Sequence, residues 1–113
     1  MHPLLTKLEA ALRDTSDVYV AADVTPEKYF QALEADLRSR LCTPFMVTAE
    51  VMPPGFPDHH LGERLSGYCV AHTNGHWLVY APDEDRFYCF WGADQHRLGA
   101  HGVFGSPLYC WSA

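Results

Sequence analysis

The sequence predicts an α+β domain in which two N-terminal helices pack on one face of a mostly antiparallel sheet of about five or six strands. Two observations favour this class. Apolar residues recur at helical spacing in two segments before residue 41, and they alternate or run together in short segments between residues 44 and 91. At 113 residues and 48% hydrophobic content the chain can bury one core, so we expect residues 1–113 to form a single domain.

Two amphipathic segments are predicted to be helices, and a short strand is predicted between them. The first helix covers residues 3–13 and has a proline at a first-turn position, followed by a stripe formed by Leu5, Leu8 and Leu12. The second helix follows the cap residue Thr25, and its apolar side contains Phe30, Leu33, Leu37 and Leu41. Between them, residues 18–23 have the composition of a short strand.

The remaining strands can be placed in register. Residues 44–52 alternate, which predicts a strand whose core side carries Phe45, Val47, Ala49 and Val51. Residues 67–91 have the pattern of a three-stranded meander. A type I′ turn at Asn74-Gly75 would place Thr73 opposite His76 and Cys69 opposite Tyr80. A four-residue connection over residues 82–85 would place Ala81 opposite Arg86 and Leu78 opposite Cys89.

This register sorts the meander into two faces. The smaller, more aliphatic face is expected to meet the helices, and it contains Cys69, Ala71, Thr73, His76, Leu78, Tyr80, Phe87, Cys89 and Trp91. The second face contains Tyr68, Val70, His72, Trp77, Val79, Ala81, Arg86, Tyr88 and Phe90. Aromatic residues together with arginine are enriched in binding hot spots. Either residues 103–111 cover the second face as a closing strand or flap, or this face binds a partner.

Two long segments lie outside these strands. Residues 53–67 contain three prolines and three glycines, which is typical of a functional or mobile loop. Residues 92–105 are rich in glycine but lack the lysine of a phosphate-binding loop, so we interpret them as a long flexible connection.

Charge and composition exclude several kinds of partner. The 14 acidic residues exceed the 8 basic residues and give a net charge of -6, and no compact basic patch is present to bind phosphates, so direct nucleic-acid binding is not expected. The acidic surface favours a basic partner. The N-terminal segment lacks the pattern of a signal peptide, and no apolar run approaches about 20 residues, so we expect a cytoplasmic protein without a membrane span.

The four cysteines are predicted to be buried free thiols, because each lies singly in an apolar pattern. In the predicted register Cys69 and Cys89 are two strands apart, about 10 Å, which is too far for a disulfide.

Metal binding and catalysis are the alternatives that we weighed. Cys69, His72 and His76 have a spacing that resembles a zinc motif, but a hairpin would keep them from converging. The loop residues His59, His60 and Glu63 are less constrained and would need a fourth ligand such as His96 or His101. No cysteine lies in a setting that activates a nucleophile. We therefore predict no metal, no cofactor and no catalytic residue.

The resulting hypothesis is a small acidic protein that binds and neutralises another protein, as an immunity protein, antitoxin or phage-type inhibitor does. A basic toxin or a nucleic-acid-handling protein would suit as the partner. The predicted contact residues are Tyr68, His72, Trp77, Asp83, Glu84, Asp85, Arg86, Tyr88 and Phe90. One alternative is a small metal-dependent or cysteine hydrolase that uses the loop of His59, His60 and Glu63. Another is a homodimer that buries the aromatic face.

Overall fold

Three helices and five strands make up the computed structural model, which describes residues 2–113. In chain order they are α1 (Pro3–Ala11), α2 (Pro26–Ser39), β1 (Leu41–Val51), β2 (Arg64–Thr73), β3 (His76–Ala81), β4 (Arg86–Trp91), β5 (Leu98–Gly105) and α3 (Pro107–Ser112). The α+β class and the mainly antiparallel sheet are confirmed. Within the described residues, no helix combines the length and the apolar character needed to cross a membrane.

The five strands close into a barrel in the order β1-β2-β3-β4-β5. Consecutive strands pair antiparallel. The barrel closes where β1 and β5 pair in parallel over only three residue pairs, Ala49–Leu98, Glu50–Gly99 and Val51–Ala100. The two faces predicted for an open sheet therefore become an interior and an exterior.

Both predicted helices form, but the short strand between them does not. The second helix ends at Ser39, and Leu41 already belongs to β1. Residues 18–23 form turns and irregular chain, and Tyr19 is 81% exposed. The prediction of a strand there is wrong because a strand needs a free sheet edge, and the barrel closes without this segment. In β1, by contrast, the predicted core residues Val47, Ala49 and Val51 are buried.

The two hairpins keep most of the predicted register. Thr73 pairs with His76, Ala81 with Arg86, and Leu78 with Cys89, as expected. The first turn differs in type. Gly75 has φ of +75°, but Asn74 does not have positive φ, whereas a type I′ turn requires it at both central residues. The predicted register of Thr73 with His76 is confirmed, because the length of the turn determines it. The predicted turn type is wrong.

A bulge at Val70 changes the faces of β2. Cys69 pairs with Val79 and Tyr68 pairs with Tyr80, whereas the expected partner of Tyr80 was Cys69. The extra residue resets the alternation. Cys69 therefore joins the barrel interior while Cys89 packs on the helix side. Both thiols are free, as predicted, as are the other two cysteines.

Two apolar clusters lie on the two sides of the barrel wall. The exterior cluster joins the helices to β2, β3 and β4 and contains Leu8, Leu12, Leu37, Val70, Ala71, Leu78, Tyr80, Phe87, Cys89, Leu108, Cys110 and Trp111. The C-terminal helix α3, which was not predicted, contributes the last three of these residues. The interior cluster contains Val47, Ala49, Val51, Phe56, Leu65, Cys69, Trp77, Val79, Ala81, Tyr88, Phe90, Leu98 and Ala100.

The aromatic side chains Trp77, Tyr88 and Phe90 belong to the interior cluster. Trp77 is 7% exposed, and Tyr88 and Phe90 are 0% exposed. Of the two alternatives for these rings, an accessible binding surface is wrong, because β1 and β5 curl around to enclose them, and residues 103–105 are part of β5. Part of the segment that we interpreted as a flexible connection is β5 itself. Its glycines weaken the strand pattern in the sequence.

Candidate functional site

The acidic end of the barrel is where the connection between β1 and β2 meets the turn between β3 and β4. His59, on the first connection, contacts Glu63, and its Nε2 lies 2.8 Å from a carboxylate oxygen of Glu84. Arg86 Nη2 donates to Asp58 at 2.8 Å. Together the two connections carry five carboxylates, which we call the acidic end: Asp58 and Glu63 on the first connection, and Asp83, Glu84 and Asp85 on the turn.

Phe56 anchors the connection that carries His59. Its side chain is 7% exposed, and its ring lies 5.2 Å from the ring of Tyr88 and 5.7 Å from that of Phe104. An isolated bridge between Phe56 and His59 then turns the chain back on itself. Burial of this aromatic ring therefore holds the connection in place, although its prolines and glycines are typical of a mobile loop.

His59 is held between carboxylates. Its side chain is only 13% exposed. Burial alone would lower the pKa of His59, but hydrogen bonds to Glu63 and Glu84 outweigh burial, so its pKa is raised. The bond with His59 in turn lowers the pKa of Glu63. Because both ring nitrogens already face carboxylates, neither is free to act as a general base.

Arg86 and Tyr88 form the inner part of the same network. The Arg86 Nε donates to the Tyr88 hydroxyl at 2.7 Å, and this hydroxyl donates to Glu84 at 2.8 Å. The guanidinium also lies over the ring of Phe104, 4.3 Å from its centroid. Burial, with a further contribution from Glu84, raises the pKa of Tyr88 well above its usual range. Tyr88 therefore acts here as a neutral hydrogen-bonding group.

A metal ion has three potential ligands at this end. Ligand atoms of Asp58, His59 and Glu84 lie within 4.8 Å of one another. However, the Arg86 guanidinium lies 2.8 Å from Asp58 and 3.2 Å from Glu84. A positive charge of the protein itself therefore already balances these carboxylates, and the donor set does not favour a metal.

The turn between β3 and β4 carries two exposed acids, Asp83 and Asp85. Asp85 accepts a hydrogen bond from the Tyr80 hydroxyl at 2.5 Å and pairs with Lys7 of α1 at 2.9 Å. Burial, together with the Asp85 bond, raises the pKa of Tyr80 to about 12. Asp83 is exposed and makes no hydrogen bond or ion pair with another described residue. The turn is thus fixed at Asp85 and free at Asp83.

The structure divides the predicted contact residues into three groups. Trp77, Tyr88 and Phe90 are interior. His72 stacks on Trp77 at 4.7 Å between ring centroids, and Tyr68 is half-buried on the exterior. Four residues contribute to the acidic end or its network: Asp83, Glu84, Asp85 and Arg86.

The three loop residues of the hydrolase alternative do not form one site. His59 and Glu63 contact each other in the network, whereas the side chain of His60 is exposed.

Two further residues of this site were not predicted from the sequence. Asp58 reaches Arg86 across 28 positions, and Lys7 reaches Asp85 from the N-terminal helix. No local pattern connects such distant positions. Comparison with protein-family models, curated proteins and solved structures finds no match to this chain, so its function has to be argued from the site.

The His59 contacts predict a specific pH dependence. Because the folded state raises the pKa of His59, its ion pairs stabilise the fold fully below about pH 6.5 and are lost as pH rises through the folded pKa. Relative to wild type, His59→Gln should lose about 1 kcal/mol of unfolding free energy at pH 5.5 and less at pH 8.5. Urea denaturation at both values measures this. His60→Gln, on the same loop, is the control, and equal losses at both pH values for His59→Gln would contradict the assignment.

Proposed function

We propose that this chain is a small protein-binding module of the cytoplasm that binds a basic protein through the acidic end and thereby blocks it, as an immunity protein, antitoxin or phage-type inhibitor does. One observation carries the proposal: two connections that are distant in sequence are fastened together and present five carboxylates. These outnumber the cations that contact them, which are Lys7, Arg86 and the protonated form of His59. A basic toxin or nucleic-acid-handling protein suits such a surface.

Fixation of the acidic end supports binding, because a surface that is already ordered loses less entropy when a partner docks. The connection from β1 is held by Phe56 and His59, and the turn is held by Asp85. The net charge of -6 adds a long-range attraction that raises the rate of association with a positive partner.

The contact set in this proposal differs from the one expected from the sequence. Asp83 and Asp85 remain contact residues because both are exposed, and Asp58 joins them for the same reason. Of the predicted rings that are interior, Tyr88 supports the site through its hydrogen bond to Glu84, whereas Trp77 and Phe90 belong to the core. A hydrolase that uses His59 is not favoured, because both of its ring nitrogens already contact carboxylates.

Affinity capture followed by a binding measurement tests the proposal. Tagged wild-type protein is used to capture partners from a lysate of the source organism, and the partner identified by mass spectrometry is purified. The variant Asp83→Asn/Asp85→Asn should bind this partner about tenfold more weakly, mainly through slower association, and the difference should shrink at high salt.

A matched variant separates position from net charge. Asp23→Asn/Glu27→Gln also removes two exposed carboxylates, but from the start of α2. It should bind like wild type. Thermal unfolding of both variants checks that they are folded. Equal weakening by the two variants, or a captured partner without a basic surface, would contradict the proposal.

A further inference from the structure

A groove of about 470 Å³ crosses the seam between β1 and β5. None of the residues that line it belongs to the acidic end. Its charged and aromatic lining consists of Glu50, Arg64, Trp91, His96, Arg97 and His101. Grooves of this size accommodate small organic molecules.

Two arginines in this groove lack partners. Neither Arg64 nor Arg97 makes a side-chain hydrogen bond or an ion pair with any residue in the range 2–113, whereas Arg38 and Arg86 each contact two carboxylates. The Trp91 indole N–H likewise has no acceptor within that range, although those of Trp77 and Trp111 do. The groove thus brings together several side-chain donors that no described residue accepts from.

Gly99 allows the His101 imidazole to lie close against the groove floor. A Cβ at Gly99 would lie 2.8 Å from His101 Nε2 and 3.3 Å from Met52 Cγ. His101 is held over this floor by the Pro53 carbonyl, 3.3 Å from its Nδ1, and its ring lies edge-on to Trp91 at 5.7 Å. The imidazole therefore has a defined place among the donors.

We propose that this groove binds a small phosphate-bearing ligand. Guanidinium groups form paired, charge-assisted hydrogen bonds to phosphate oxygens. A phosphate offers three acceptor oxygens and a charge of up to about -2, which suits two arginines with Trp91 and His96 nearby better than the two oxygens of a carboxylate do. Glu50 is the opposing charge in the lining, so it should weaken an anion's affinity.

Isothermal titration of the full chain with inorganic phosphate, a nucleoside monophosphate and acetate tests the proposal. Both phosphates should bind, and acetate should bind at least tenfold more weakly. Arg64→Gln/Arg97→Gln should weaken phosphate binding tenfold or more, while Glu50→Gln should strengthen it about threefold. Arg13→Gln/Arg40→Gln, which removes two exposed arginines outside this groove, should change nothing.

The results distinguish the source of the phosphate group. Tighter binding of the nucleotide supports a nucleotide ligand, and equal affinities support free phosphate. Both outcomes uphold a phosphate site. The absence of phosphate binding, acetate binding as tight as phosphate, or unchanged affinity in Arg64→Gln/Arg97→Gln would overturn it. Because these arginines are exposed and unpaired, the double variant should remain folded, which circular dichroism checks.

Discussion

Replacing Phe90 by alanine is expected to lower the free energy of unfolding by about 3–5 kcal/mol. The side chain is 0% exposed and lies inside the barrel, with its ring centroid 6.1 Å from that of Tyr88. Removal of the ring takes away apolar contacts and leaves a cavity that the closed wall of strands fills poorly. Urea denaturation monitored by circular dichroism measures the loss as a lower midpoint.

Met46→Ala is the matched control, since Met46 lies on β1 and is 54% exposed. It should change stability by no more than about 0.5 kcal/mol. If Phe90→Ala does not fold well enough to measure, Phe90→Leu should still fold and lose a smaller amount. A wild-type midpoint for either Phe90 variant would show that this ring lies outside the core, as expected if the aromatic face were a surface.

Replacing Arg86 by methionine is expected to lower the free energy of unfolding by about 2 kcal/mol. Methionine keeps much of the length and apolar character of the side chain but removes the donors to Tyr88 and Asp58 and the charge next to Glu84. A buried ion pair that loses one partner loses about 3–5 kcal/mol. We expect a smaller loss for Arg86→Met than for a fully buried pair, because Asp58 is 51% exposed and solvent compensates part of the loss.

Two comparisons isolate the contribution of the network. Arg97→Met makes the same change at an exposed arginine without partners and should have little effect on stability. A double-mutant cycle of Arg86→Met and Glu84→Gln should give a coupling energy of about 1 kcal/mol. Additive losses in that cycle would mean that Arg86 and Glu84 do not stabilise each other.

Local signals in the sequence predicted much of the fold. Pro26 marks the start of α2, strict alternation identifies the core side of β1, and the Asn74-Gly75 pair fixes the first hairpin. Each of these signals depends on residues close together in the chain. The same is true of the four-residue turn that aligns β3 with β4.

Closure of the barrel and assembly of the site depend on distant residues, so the sequence did not predict them. The bulge at Val70 has no mark in the β2 pattern, yet it moves Tyr68 and Cys69 to the opposite faces. The glycines of β5 conceal the strand that encloses Phe90. His59 was considered for the hydrolase and Glu84 for the partner-binding surface. The sequence did not connect the two residues, because 25 positions separate them.

The seam between β1 and β5 has a consequence for how the fold is assembled. In the chain, β2, β3 and β4 all lie between β1 and β5. The pairing of β1 with β5 therefore closes the longest loop of any strand pair, although it aligns the fewest residues. Loop closure carries an entropic cost that increases with loop length, and three residue pairs offset little of it. The interior side chains Ala49, Val51, Leu98 and Ala100 are all buried at this seam. Desolvation of these side chains, more than the short hydrogen-bonded ladder, therefore keeps the two ends of the sheet together.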